Sequence, residues 1–252
     1  MISEAEVRAY RPQQDSLAER VVMITGASGG IGGELARACA ALGARVLLSG
    51  RKVSALERIY DEIVGSGAPR PSIAPMDFET ADAGQYSALA DAVRGEFGRL
   101  DGLAHCAGLL GELAPIEHYD VVTWLKVMHV NVNAPFILTR TLLPLLRASS
   151  DASVIFTGSG VSVRGRAYWG AYAASKFAIE GLMQVLSDET DTLTKIRVNS
   201  VNPGKTRTRM RAKAYPGEDP ATLPEPSAVL APYLFLLGAA SAGVTGRRFN
   251  AQ

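Results

Sequence analysis

The sequence is short of several things, and each shortage closes off a class of function. It has two cysteines, Cys39 and Cys106, too few for a disulfide framework or a thiolate metal cluster. They read as buried thiols in a reducing compartment, which points to the cytoplasm. Its three histidines, His105, His118 and His129, are too scattered for a metal site, and no metal is expected. Neither sign of charge dominates. Twenty-six basic side chains against 25 acidic ones leave a net +1, which removes any general pull toward nucleic acid or an anionic membrane. The opening "MISEAEVRAY" carries acids where a secretory signal needs an apolar run. The most apolar long segment, Val121 to Leu146, contains Lys126, His129, Asn131, Asn133 and Arg140. It reads as a long core helix and not as a membrane span.

What is present is the material of a sizeable core. The chain has 252 residues, 47% of them hydrophobic, enough for one α/β domain. "RVVMITG", "ARVLLSG", "PSIAPMD", "LDGLAHCAG", "ASVIFTGS", "IRVNSVNPG" and a last strand near "VTGRRFN" alternate with helical stretches. Those helices include "IGGELARACAALG", "KVSALERIYDEIVGSG", "GQYSALADAVRGEFG" and a segment from about Trp169 to Asp191. Strands apolar throughout, each followed by a helix, predict a parallel sheet covered on both faces. Right-handed crossovers make it a doubly wound Rossmann fold of about seven strands. Residues 1–19 are expected to be an N-terminal arm, and 20–252 the catalytic domain. The proline-rich "YPGEDPATLPEP", within a substrate loop over 205–226, cannot be one continuous helix.

Two local patterns carry chemistry. "TGASGGIG" sits where the first strand meets the first helix of the sheet. Gly26, Gly30 and Gly32 let the backbone turn tightly and approach a pyrophosphate, with Ser28 and Ile31 completing the expected cradle at a helix N-terminus. The absent Gly-Lys-Ser/Thr ending excludes a nucleoside triphosphate loop. "YAASK" puts Tyr172 and Lys176 four residues apart, on one helix face, with small residues between. An ammonium beside a phenol favours the phenolate, so Tyr172 can exchange a proton with a carbonyl or alcohol oxygen. Taken alone, the same spacing also describes an ordinary surface pair.

"TGASGGIG", "CAG" at 106–108, "NVNA" at 131–134, Ser159, "YAASK" at 172–176 and "NPGKTRT" at 202–208 follow one another in order. The sequence resembles the short-chain dehydrogenase/reductase family in its single-domain branch. Within that branch it is most similar to the bacterial YciK-like oxidoreductases, through "YRPQQDSLAER", "HCAGLLGEL", "GRAYWGAYAASKFAIEGLMQVL", "NPGKTRTRMRAKAYPGEDP" and "FNAQ".

The resemblance implies an oxidoreductase that moves a hydride between a nicotinamide cofactor and a small carbonyl or alcohol. It implies Ser159 as the catalytic serine, with Ser162 the lesser candidate. It implies Asn131 as the anchor of a water that relays protons to Lys176, with Asn133 out of register. Lys176 would also meet the nicotinamide ribose. Ala107 and Gly108 would line the cofactor. Pro203, Gly204, the backbone of Thr206 and the hydroxyl of Thr208 would clamp its carboxamide. Asp77 matches the acid that receives the adenine amine, although in isolation it equally caps "FETADAG". A homodimer or homotetramer follows by analogy, through the long helix and the catalytic helix.

The second strand ends on Gly50 and Arg51, with no acid for the ribose hydroxyls. A guanidinium pairs with a 2′-phosphate that a carboxylate would repel. NADP(H) is therefore expected over NAD(H), read by Arg51 with help from Ser49 or Lys52; a merely solvated Arg51 is the other reading. Two questions stay open. The run "KTRTRMRAK" is either a solvated helix surface or a face for an anionic ligand. Arg164, Tyr168 and Trp169 either line the substrate pocket or pack a subunit interface. One departure from the family pattern stands out. Cys106 replaces the usual asparagine, and a thiol cannot supply both halves of an amide. It is read as structural, with a redox switch as the rival. Two rivals to the enzyme are a non-catalytic NADP(H)-binding redox sensor, whose mark would be a broken catalytic set, and a nucleotide-sugar epimerase or dehydratase, whose larger substrate domain this chain has no room for.

Overall fold

The computed structural model describes residues 2–191 and 195–252. Seven strands form one parallel sheet in the order β3-β2-β1-β4-β5-β6-β7. They are β1 Val21–Thr25, β2 Arg45–Gly50, β3 Ser72–Pro75, β4 Gly102–His105, β5 Ala152–Thr157, β6 Ile196–Asn202 and β7 Arg248–Asn250. The helices are α1 Glu4–Arg8, α2 Gly30–Ala41, α3 Val53–Gly65, α4 Ala83–Phe97, α5 Val121–Met128, α6 Ala134–Arg147, α7 Gly170–Asp191, α8 Arg209–Ala214 and α9 Ala231–Leu237. Chain order reverses between β1 and β4, and a crevice opens at such a switch point beyond the strand ends.

The period-2 alternation of the strands divides the core in two. Val22, Ile24, Val46, Leu48 and Ile155 face α2, α3 and α9 in one cluster. Val21, Met23, Leu47, Val154 and Phe156 face α4, α6 and α7 in the other. α1 begins with a capping box between Ser3 and Glu6. It sends Val7 into the first cluster, as the segment after it sends Leu17.

At the N-terminal ends of the strands, charges knit the sheet together. Asp151 accepts from Arg20 at 3.0 Å and from Arg197 at 2.9 and 3.0 Å. Asp101 accepts from the Val21 N–H at 2.8 Å. The opposite end is left free for a ligand.

The expected long helix is not continuous. It divides into α5 and α6 around a π turn, His129–Asn133. Pro135 explains the break: it has no N–H for the Asn131 carbonyl, and its ring would crowd that carbonyl in a regular α-helix. By length and mean hydropathy the whole of Val121–Arg147 would pass for a membrane span, yet α6 buries Ala134, Leu138, Leu142, Leu145 and Leu146 in the second core cluster.

Candidate active site

A cleft of about 680 Å³ runs across the C-terminal ends of the strands. Its floor is the turn after β1. A Cβ on Gly26 would lie 2.8 Å from the Ala107 nitrogen, and one on Gly32 would lie 2.6 Å from the Gly26 carbonyl oxygen. These two glycines therefore let the turn, β4 and α2 close on one another. Gly30, at φ +56°, faces open space apart from the Thr208 methyl at 3.7 Å. Backbone alone is presented to the cleft there, at the head of α2, as a pyrophosphate requires.

Of the cofactor-side residues expected from the sequence, Gly26, Ser28, Gly30, Ile31, Gly32, Arg51, Asp77, Ala107, Gly108, Pro203, Gly204, Thr206 and Thr208 line this cleft. Ser159, Tyr172 and Lys176 line it too. Asn131 does not; it stands one layer behind. Of the two helpers suggested for Arg51, Lys52 lines the cleft, whereas Ser49 is fully buried within β2. The Asp77 carboxylate accepts from the Glu79 N–H at 3.1 Å, an Asx turn.

Tyr172 and Lys176 are placed by the first turns of α7. Both are buried, and the Lys176 ammonium lies 5.6 Å from the centre of the Tyr172 ring. Lys176 Nζ donates to the Thr157 carbonyl at the end of β5, at 2.7 Å. Burial lowers the lysine to about 8, while Cys106 and Glu180 oppose that shift. Burial raises the Tyr172 phenol, and the Ser159 hydroxyl opposes it. Desolvation thus outweighs the Ser159 hydrogen bond, because the low-dielectric wall penalises the charged form first.

Ser159 follows β5 and caps a short 3-10 turn, its hydroxyl accepting from the Val161 N–H at 3.4 Å. Its carbonyl accepts from Ser162 Oγ at 2.6 Å and from Arg248 Nη2 at 3.2 Å. Ser162 itself is buried and turned toward Glu180, 3.0 Å away, so of the two serines Ser159 is the one on the cleft. Glu180, one turn beyond Lys176, also accepts from Ser200 Oγ at 2.6 Å. The Arg248 guanidinium lies 3.3 Å from it, near enough for charge attraction although its Nε makes no aligned hydrogen bond.

Three residues passed over in the sequence support this end of the cleft. Thr25 Oγ1 accepts from the N–H groups of both Cys106 and Ala107 at 3.1 Å. Thr157 Oγ1 accepts from the Tyr233 hydroxyl at 3.1 Å and donates to Cys106 Sγ at 3.6 Å. No sequence signal marks a single threonine at a strand end as distinct from any other strand threonine. His105, stacked on Phe156 and hydrogen-bonded to Thr139 at 2.8 Å, is a core residue held neutral by burial.

The clamp segment after β6 is built by turns. The Gly204 N–H bonds to Asn202 Oδ1 at 3.1 Å, and the Thr206 hydroxyl donates to the Pro203 carbonyl at 3.2 Å. Thr208 caps α8 by accepting from the Arg211 N–H at 3.1 Å. Its hydroxyl proton remains available.

A family model for short chain dehydrogenases matches residues 20–219. The chain belongs to that family. As a short-chain dehydrogenase it is an NAD(P)H-dependent oxidoreductase. It is 46% identical to the uncharacterized oxidoreductase YciK of Escherichia coli (strain K12), over 96% of each chain. A short chain dehydrogenase from Pseudomonas syringae superposes with a TM-score of 0.95 at 51% identity, covering 96% of this chain and 98% of that one. One from Escherichia coli CFT073, solved in complex with NADPH, superposes with a TM-score of 0.93 at 46% identity, covering 96% and 100%.

Proposed function

We propose that the protein interconverts a carbonyl and a secondary alcohol with NADP(H), Tyr172 acting as general acid and base. The observation that carries this reading is the convergence of Ser159, Tyr172 and Lys176 on the same cleft as the glycine turn. When bound, the nicotinamide supplies or accepts the hydride. The Ser159 hydroxyl holds the substrate oxygen, and the Tyr172 hydroxyl gives it a proton in reduction or takes one in oxidation. Lys176 keeps a positive charge beside that exchange and is placed to meet the ribose. Asn131 supports it from behind, and the proton lost by Tyr172 is replaced by way of Lys176.

NADP(H) is favoured over NAD(H) because Arg51, Lys52 and Arg58 bring three cations to the cleft wall beyond β2. The NADPH-bound relative from Escherichia coli is in keeping with that. We assign the adenine end to Asp77 and the carboxamide clamp to Pro203, Gly204, Thr206 and Thr208. Exposed apolar side chains on α5, α6 and α7, Val121, Leu125, Phe136, Phe177 and Val185, fit a subunit interface in a homodimer or homotetramer. The two free thiols fit a cytoplasmic setting.

The test is Tyr172→Phe, assayed against ketones, quinones and aldehydes. Turnover should fall by about 10²–10⁴, the range of a lost general acid, with NADPH binding retained. Turnover within a few-fold of the wild type removes Tyr172 from the chemistry. A wild type that binds NADPH but turns over nothing points to the sensor reading.

A further inference from the structure

The basic run 205–213 borders the substrate end of the cleft, and the structure accounts for its cations one by one. Arg207 pairs with Glu225. Lys213 donates to the Gly111 carbonyl at 3.0 Å. Arg209 lines the cleft next to Thr208, whose methyl sits against the glycine turn, and we assign its charge to the phosphate end. Lys205 is exposed. Arg211 lines the cleft as well, and it is held in an ion pair. Its Nε and Nη2 donate to the two carboxylate oxygens of Glu218, both at 2.6 Å. Its guanidinium lies flat on the Tyr215 ring at 3.6 Å. The fork leaves the Nη1 side of the guanidinium unbonded, but its charge is already met by a carboxylate, so a second anion there would face a neutralised pair.

The wall between this pair and the catalytic phenol is apolar. Leu110, Tyr172, Trp169, Met210 and Ala214 form one cluster. Trp169 bridges it, packing on Tyr172 and on Tyr215 with ring centres 5.8 Å away in each case. A carboxylate pressed against this apolar wall would lose water, which is costly, and the cation beside the wall, Arg211, is already paired with a carboxylate. An uncharged apolar group would gain from burial.

We propose that this end of the pocket selects an uncharged, apolar carbonyl compound, and that Glu218 enforces the choice by keeping Arg211 occupied. The proposal rests on the reductase reading above, since it names the substrate class of that same site.

A matched pair of probes tests it: 4-acetylbiphenyl and the same ketone bearing a 4′-carboxylate. Each is titrated calorimetrically into the protein saturated with NADP. The neutral probe should bind at least about tenfold more tightly to the wild type. In Glu218→Gln the ratio should move toward the carboxylated probe by about ten- to a hundredfold, the worth of one charge-assisted pair. Adding Arg211→Met to that variant should cancel the movement, because the freed guanidinium is its source. Equal or tighter binding of the carboxylated probe by the wild type overturns the proposal. So does an unmoved ratio in Glu218→Gln, or a failure of both probes to bind. The wild-type ratio decides the matter even if the variant does not fold. NADPH consumption with the neutral probe is read separately: the expected binding ratio without turnover counts against the reductase chemistry and leaves the selectivity standing.

Discussion

Asn131 grips Leu109 by both of its backbone groups. Its Oδ1 accepts from the Leu109 N–H at 2.7 Å, and its Nδ2 donates to the Leu109 carbonyl at 2.8 Å. The second Nδ2 proton goes to Ser175 Oγ at 3.0 Å. Both donors of the amide are therefore spent on holding the segment after β4 against α7. The proposed water on the route to Lys176 falls more naturally to the Asn131 carbonyl, which Pro135 deprives of its regular helical donor.

Asn131→Ala should consequently act on fold and rate together. Leu109 would keep a half-buried N–H and C=O without their side-chain partner, at up to about 1–3 kcal/mol each. The adjoining Ala107 and Gly108 line the cleft. A lower melting temperature and a turnover reduced by more than about tenfold are expected. Thermal melts and steady-state rates that both match the wild type would remove this role.

Arg51 is the position at which cofactor choice should turn. Its side chain is 57% exposed and lies 3.7 Å from Glu79, which Lys126 holds at 2.8 Å. Arg51→Asp would place a second carboxylate near Glu79 and replace attraction to a 2′-phosphate with repulsion. The NADP/NAD affinity ratio should fall about ten- to a hundredfold. Titration of both cofactors against both proteins checks it, and an unchanged ratio means that Arg51 does not read the phosphate.

Cys106 should prove inert. Burial pushes its thiol up to about 11, against the Thr157 hydrogen bond and the Lys176 charge that pull it down. A reactive thiol needs the opposite shift. The N–H groups of Cys106 and Ala107 are both taken up by Thr25 Oγ1 and need no amide at 106. Cys106→Asn should fold, keep its rate within a few-fold, and show the same peroxide sensitivity as the wild type. A large rate loss, or inactivation by peroxide that only the wild type suffers, would make Cys106 functional.

Lys176 sets a pH dependence whose sign differs between stability and rate. Folding lowers this lysine from 10.5 to about 8. Between those values the unfolded chain holds the extra proton, so this group's contribution to stability is least favourable below about pH 8 and improves as pH rises toward 10.5. Carbonyl reduction should run the other way, slowing through an apparent value of about 8 as the ammonium beside Tyr172 is lost. A rate profile for kcat/KM that stays flat well into the alkaline range would contradict the assignment.

The parallel sheet and the cleft were legible because they rest on strong local signals. Glycines fall between strand and helix, and apolar runs end where side chains must face a ligand. Ser159, Tyr172 and Lys176 reach the cleft for the same reason, since they follow a strand end or lie in the first turns of a helix, whereas Asn131, in mid-helix, stands behind it. α9 was missed: "APYLFLL" is apolar on every face, and a buried segment that short carries no period to read. The π turn was missed because Pro135 looks tolerable near a helix start, and only the missing donor to Asn131 shows what it does. Thr25 and Glu218 were missed because their partners lie far along the chain or across a loop. Arg211 and Glu218 are seven residues apart, a spacing that predicts a contact only once the intervening turn is known.

The π turn has one more consequence, for the phase of the helix. An α-helix advances about 100° per residue, and a π turn amounts to one inserted residue. Everything before His129 is thereby rotated by about a quarter-turn or more relative to everything after Asn133. One continuous segment can then serve two masters: α6 lays its apolar side into the sheet core, while α5 buries only Val127 and leaves Val121, Val122 and Leu125 facing outward. Removing one residue between 129 and 133 would bring the halves back into phase. It would swing Lys126 off Glu79, a contact that no point substitution in the turn would touch.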